Sequence, residues 1–383
     1  MSQEVTTLCL LNYEYPPIGA GAASATQAIA NSLTRQGHRV VVVTAGFGDL
    51  VGERMEDGVH TIRLRCRRQR ADRASLPEML SFVAAAWKRL PAIVRSIECD
   101  GIICFFTLPC GPAAWHAWRK TGIPYVISLR GGDVPGLVPS IDWIHRSLAP
   151  FRRAILRNAV AVIANSEGLQ QLSRASDPFP VDFIPNGVDT EKFYPATATR
   201  EDDVFRVLAV GRLQDQKNNA FAMRALAGIR PRIAQRLEYH IVGDGPLRSD
   251  LQKLAEQLGL AGQVFWHGWI PREKLREEYR SCDCLLHPTL YEGMPNAVLE
   301  AMAAGLPVIA SDVPGNAHLV REGQTGYICA LGDEAAFSDA LTKLASDIQL
   351  RGRLGRAARR IAETEYSWDT VAKRYRDIFR PAS

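Results

Sequence analysis

The sequence predicts an α/β protein of two Rossmann-like, doubly wound domains facing each other across a cleft. Three observations carry that prediction. Short apolar runs alternate with helical stretches along the whole chain. These runs fall into two successive sets. At 383 residues the chain is also longer than a typical single core.

The first set places strands at "TTLCLLNY", "RVVVVTAG", "GIICFF", "PYVISL", "AVAVIANS" and "VDFIPNG". The second places them at "FRVLAVGR", "LEYHIVGDG", "QVFWHGW", "DCLLHPT", "LPVIASD" and "TGYICA". Strands separated by helices indicate parallel sheets covered on both faces. The break is expected within "PATATREDDV", where Pro, small and charged residues suit a linker. That gives an N-terminal domain over 1–193 and a C-terminal domain over 194–366, followed by a last helix in 367–383.

Composition excludes several classes. Met1 to Asn12 has no basic start and no apolar stretch of a signal peptide. No apolar run approaches the roughly 20 residues of a membrane span. Eight Cys without framework spacing suggest a reducing cytoplasm, with Cys282 and Cys284 as core hydrophobes. The formal charge is +5, and all of it lies in the first 200 residues, which hold 22 Lys/Arg and 17 Asp/Glu. Its densest part is "RLRCRRQRADR", followed by the Trp-bearing stretch "SLPEMLSFVAAAWKRLPAIVRS". Such an element can rest on an anionic membrane or accept an anionic substrate. It can equally be a solvated loop beside an ordinary packed helix. No nucleic-acid module accompanies the arginines.

In open α/β sheets ligands bind beyond the carboxyl ends of the strands. Gly19 and Gly21 lie in the first such loop, where backbone N–H groups can approach a phosphate, or where a tight turn simply needs them. In the second half Arg212 and Lys217 follow a strand and can neutralise a diphosphate. "YEGMPNAVLEAMAAGLPVIAS" then predicts a helix opening near Pro295, with Glu292 just before it and Glu300 inside it. A helix N-terminus attracts anions. A diphosphate held there would leave Glu300, as an acceptor only, for a ribose diol and Glu292 for sugar hydroxyls. That set describes a nucleotide sugar, although a Glu within a helix is usually plain surface. No D-x-D occurs, and "EDD" reads as solvated charge, so neither a metal nor a cofactor is expected.

The spacing Glu292-x7-Glu300, with "FIPNGVDTEKFYP", "VGRLQDQKN", "IVGDGPLRSDLQKLAEQLGLAGQVFWHGWIPREKL" and "NAHLVREGQTGYI", resembles the retaining glycosyltransferases of family 4, which have the GT-B fold. The opening "YEYPPIGAGAAS" resembles that family more loosely. The resemblance implies donor-binding roles for Arg212, Lys217 and the backbone of Gly293, Met294, Pro295, Asn296 and Ala297. It implies that Glu300 binds ribose, that Glu292 binds the donor sugar, and that Trp269 and Ile270 flank the base. Gly19 and Gly21 would line the acceptor side near the phosphate, and the final helix would cross back to the first domain. One departure concerns "RGGDV": Arg130 stands where many members carry His. An Arg is no general base. It can stabilise leaving-group charge or anchor an anionic acceptor, which leaves Asp133 for a polar or basic role unless it only caps a turn. The expected activity is transfer of a sugar from a UDP- or GDP-sugar to a glycan hydroxyl, with a lipid-linked acceptor at the inner membrane face. An epimerase of the same fold, or a non-catalytic nucleotide- or glycan-binding subunit, are the alternatives.

Overall fold

The computed structural model describes residues 5–71, 74–138, 142–197 and 202–380. Arg73 of the basic run, residues 198–201 of the expected linker and residues 381–383 of the last stretch lie outside the described residues. The chain divides into two compact units, Met1–Gly187 with Trp368–Ser383, and Val188–Ser367.

The first unit is built on an eight-stranded sheet. Its strands are β1 (Thr7–Leu11), β2 (Arg39–Ala45), β3 (Gly52–Glu56), β4 (Val59–Leu64), β5 (Gly101–Phe105), β6 (Tyr125–Leu129), β7 (Ala161–Ala164) and β8 (Asp182–Phe183). The order is β3-β4-β2-β1-β5-β6-β7-β8, parallel throughout except for the β3–β4 pair. β1, β5 and β6 are buried at every position, as strands covered on both faces must be. The β3–β4 hairpin is absent from the predicted strands. Its signal is "EDGV": Asp57 and Gly58 both adopt positive φ, which a two-residue turn of this hand requires. β3 is exposed and charged at the sheet edge, so it carries no apolar run to announce it.

The helix Trp368–Asp377 belongs to this first unit. Asp369 accepts from Ser32 and from Arg35 at 2.9 Å on the helix Gly21–Arg35, and Tyr375 Oη meets Ser128 Oγ at 2.7 Å. Arg376, fully buried, bonds to Asp377 and to His38.

The second unit carries β9 (Val204–Val210), β10 (Arg236–Val242), β11 (Val264–Gly268), β12 (Cys284–His287), β13 (Val308–Ser311) and β14 (Gly326–Cys329). They form one parallel sheet in the order β11-β10-β9-β12-β13-β14. Its division from the first unit falls at Gly187–Val188, earlier than the boundary expected at 193–194. The reason is packing. Val188 and Phe193 join the apolar core of the second unit, and Arg359 donates to the carbonyls of Thr190 (3.0 Å) and Phe193 (2.7 Å). The described parts of "PATATREDDV", 195–197 and 202–204, therefore lie within the second unit and do not mark its start. Among the described residues, no helix is long and apolar enough to cross a membrane.

Candidate active site

In the second unit the chemistry gathers at the carboxyl ends of β9 and β12. β9 runs into Gly211, whose φ of +149° favours glycine. A Cβ there would lie 3.1 Å from Lys217 Cε, so the lysine side chain passes directly over this glycine. Lys217 closes the short turn Asp215–Lys217, and its Nζ lies 2.6 Å from Glu292 Oε2. Two further bonds stitch the same loops together: Leu290 N–H donates to Gln216 O at 2.9 Å, and Gln216 Nε2 donates to Tyr291 O at 2.8 Å.

Beneath the loop that carries Glu292 the packing is polar and close. Ser311 Oγ donates to Thr289 O, and Asn316, fully buried, donates to Ser311 O at 3.0 Å. A Cβ on Gly315 would stand 2.6 Å from Glu292 O and 2.7 Å from Gly293 O. Only glycine admits the loop at that distance. Nothing in the bare sequence distinguishes Gly315 from the other glycines.

The electrostatics of the pair are one-sided. Burial opposes ionisation of Glu292, but His287 and Lys217 hold its carboxyl down to about 2. His287 is buried at the end of β12, with Nε2 3.7 Å from Glu292 Oε2 and no hydrogen-bond partner on that atom. Burial lowers its pKa, so the imidazole is neutral at pH 7. His287 is a site residue that the sequence reading missed. The available signal was a polar residue ending an apolar strand, "CLLHPT".

The helix Asn296–Ala303 starts immediately after Pro295. The N–H groups of Val298 and Leu299 are taken by Pro295 O, at 3.1 and 3.3 Å. Asn296 and Ala297 therefore head the helix with the two N–H groups that precede its own bonds. Gly293 and Asn296 are exposed, and Met294 packs against the core. The Arg212 side chain is exposed and makes no hydrogen bond or ion pair among the described residues. Glu300 is 8% exposed, accepts from Tyr279 Oη at 3.0 Å and has Arg272 Nη2 at 3.8 Å. Burial raises its carboxyl to about 7, against Arg272 and Tyr279, which lower it. The expectation of an acceptor-only Glu300 therefore needs correction. Burial thus favours the protonated form of Glu300 far more than that of an ordinary carboxylate. After β11, Trp269 is 79% exposed while Ile270 packs into the core. The aromatic face is thus offered and the aliphatic side chain anchors it.

The residues expected in the first unit are held differently. Asp133, 2% exposed, accepts the backbone N–H groups of Thr107 (2.8 Å), Arg130 (2.9 Å) and Gly131 (3.0 Å). Burial raises its pKa, opposed by those N–H groups. Its oxygens accept these three N–H groups and fix the loop, as the turn-capping alternative expects. Arg130 donates to Asn186 Oδ1 at 2.9 Å, reaches Tyr375 Oη at 3.4 Å and lies over the Phe105 ring. Its guanidinium is oriented, and its buried Nε has no partner among the described residues. Gly19 has φ +92°, and a Cβ there would collide with Glu14 at 2.6 Å. A Cβ on Gly21, the first residue of helix Gly21–Arg35, would meet nothing within 4 Å. Gly19 is therefore a conformational requirement, and Gly21 leaves open space at a helix start.

The basic run is also not one surface. Arg63 lies in β4 at 2% exposure, bonded to Glu56 (2.7 Å) and Pro16 O (2.6 Å). Arg68 packs on Tyr13 and bonds to the carbonyls of Tyr13 and Arg70. Trp87 stacks on His116 with ring centroids 4.1 Å apart. Arg65, Arg67 and Arg70 are exposed, together with Leu76 and Leu80.

Two parallel α/β units, one with a cation–carboxylate pair and a helix start at its strand ends, define a two-domain enzyme of the GT-B kind. Residues 191–361 match the family described as glycosyl transferases group 1, and residues 20–187 match the glycosyl transferase 4-like domain. The chain is 27% identical over 395 aligned positions to an uncharacterized glycosyltransferase of Methanocaldococcus jannaschii, covering 98% of each. It is 36% identical over 254 positions to the UDP-Gal:α-D-GlcNAc-diphosphoundecaprenol α-1,3-galactosyltransferase of Escherichia coli, covering 60% of this chain and 65% of that protein. In fold it is similar to sucrose-phosphate synthase from Thermosynechococcus elongatus, at a TM-score of 0.72 and 22% identity over 98% of each chain. The chain is a glycosyltransferase with the GT-B fold.

Proposed function

We propose that the chain is a retaining glycosyltransferase that moves a hexose from a UDP- or GDP-sugar to a hydroxyl of a lipid-linked glycan, in cell-surface polysaccharide synthesis. The observation that carries this reading is the Lys217–Glu292 pair, 2.6 Å apart, in the same unit as the start of helix Asn296–Ala303 and the exposed Arg212. Arg212, Lys217 and the N–H groups of Asn296 and Ala297 meet the charge of the departing diphosphate, as positioned donors and cations do. In the ligand-free protein, Lys217 rests on Glu292. When the diphosphate takes the lysine, Glu292 stays ionised and turns to the sugar hydroxyls. Glu300 takes the ribose diol, and Trp269 covers the base.

The retaining course and the lipid-linked acceptor rest on resemblance. The name of the E. coli relative, which includes UDP-Gal and a diphosphoundecaprenol-linked sugar, supports the donor and acceptor classes. Arg65, Arg67 and Arg70 with Leu76 and Leu80 supply an exposed basic and apolar edge for an anionic membrane. The test is proton NMR of the product formed from a UDP- or GDP-hexose and a lipid-linked acceptor. A new linkage with the donor's anomeric configuration supports the reading. Inversion, or conversion of the donor sugar without an acceptor, contradicts it.

A further inference from the structure

A second cluster of titratable side chains lies in the 188–367 unit and shares no residue with the site above. His240 stands on β10, His267 on β11, and Glu278 on the helix Arg272–Ser281. The two imidazole planes are within 21° of each other, with centroids 5.2 Å apart. They meet edge to edge, His240 Nδ1 being 3.1 Å from His267 Nε2. The far nitrogen of each ring faces a carboxylate. His240 Nε2 is 3.3 Å from Glu238 Oε2, and His267 Nδ1 is 3.3 Å from Glu278 Oε1.

A neutral imidazole carries one N–H. If each ring gives it to its carboxylate, two lone pairs confront each other across 3.1 Å. If one ring gives it to the other, a lone pair is left against a carboxylate oxygen. Either way, two neutral rings leave one of the three contacts without a proton. One additional cation between the rings resolves the conflict.

We propose that this cation is a divalent transition metal of the zinc class, held by His240, His267 and Glu278. One ligand atom from each residue lies within 4.8 Å of the others. Glu278 Oε2 is already 4.0 Å from His240 Nδ1. Two imidazoles and a carboxylate suit zinc and not magnesium. Glu238 stands behind His240 as the carboxylate that orients a metal-binding imidazole. It is itself neutralised by Arg206 (3.0 Å) and Arg236 (2.6 Å), so its role is support and not ligation. All three ligand residues are partly exposed, which gives an ion access. The metal would tie β10 and β11 to the helix that also brings Arg272 and Tyr279 to Glu300. Its role is structural, and it takes no part in sugar transfer.

The test uses the full chain, stripped with a chelator and then titrated with Zn²⁺ against a chromophoric competitor, with no nucleotide or sugar present. One Zn²⁺ should bind per chain and raise the melting temperature, while Mg²⁺ at the same concentration does neither. His267→Asn and Glu278→Gln should each weaken Zn²⁺ binding by at least tenfold, and His60→Asn, on the other unit, should leave it unchanged. The metal-free variants should melt cooperatively, as the metal-free parent does. No stoichiometric Zn²⁺, or binding that survives both site variants, overturns the proposal. The rings then share a proton instead.

Discussion

Lys217 Nζ and Glu292 Oε2 lie 2.6 Å apart, and this contact joins two loops 75 residues apart in sequence. Both side chains are largely buried, at 19% and 14% exposure. A pair of this kind stabilises little by itself, but removing one partner leaves the other charge poorly solvated. Its placement at a strand end, before a helix start, is the ground of the role proposed for it.

Replacing Lys217 by Ala, or Glu292 by Gln, should therefore lower kcat by about 10²–10³-fold, the range typical for loss of one charge-stabilising group. The fold should survive, because the same loops keep the Gln216–Leu290 and Gln216–Tyr291 bonds. Steady-state kinetics alongside far-UV circular dichroism checks both. Near-normal turnover in both variants contradicts the assignment.

Glu300 gives a pH dependence with a definite sign. Its folded carboxyl is raised from 4.5 to about 7, so between these values the folded state binds more protons than the unfolded. Stability then falls as pH rises through that window, by up to about 3 kcal/mol from this one group. Glu300→Gln should flatten that fall. A ribose diol donates to the ionised form, so nucleotide affinity should rise by roughly tenfold between pH 6 and pH 8. Calorimetric titration with the nucleotide across that range is the check, and an affinity that does not change with pH would remove Glu300 from the ribose.

Asp133 separates architecture from catalysis. Asp133→Ala strips the partner from three backbone N–H groups and should cost about 3 kcal/mol or more. The nucleotide site proposed above lies in the other unit, so nucleotide affinity should be kept. A variant of normal stability but no activity would instead restore Asp133 to the chemistry.

The exposed Arg65, Arg67, Arg70, Leu76 and Leu80 should hold the chain on vesicles containing phosphatidylserine at low salt. Changing the three arginines to Glu should cost about 1 kcal/mol or more for each cation lost. Co-sedimentation at low and high salt measures it. Equal retention by neutral and anionic vesicles would leave the membrane reading without a physical basis.

Both parallel sheets were legible because buried parallel strands read as apolar runs: all six strands of the second sheet were expected, and six of the first. The hairpin at Gly52–Leu64 was not, since an exposed edge strand such as "GERME" has no such run. Within the candidate site, the placing of Arg212 and Lys217 after a strand, Glu292 before a helix and Glu300 inside it was legible. The ionisation of Glu300 was not, because it depends on burial in the folded core, offset in part by Arg272 and Tyr279, residues distant in sequence. His287 and Gly315 escaped for a related reason: each matters through a contact with the Glu292 loop that no spacing announces. In the run at Arg63–Arg73, composition did not show that Arg63 and Arg68 point inward to Glu56 and Tyr13.

The most direct test of the central claim is thermal stability of the full chain with UDP, GDP and CMP. A ligand at 100 times its dissociation constant adds about 2.7 kcal/mol, a shift of several degrees. Stabilisation by UDP or by GDP, absent with CMP and lost in Lys217→Ala, is the predicted result. No shift with either nucleotide would mean that Lys217, Glu292 and the helix start at Asn296 serve something other than a nucleotide sugar.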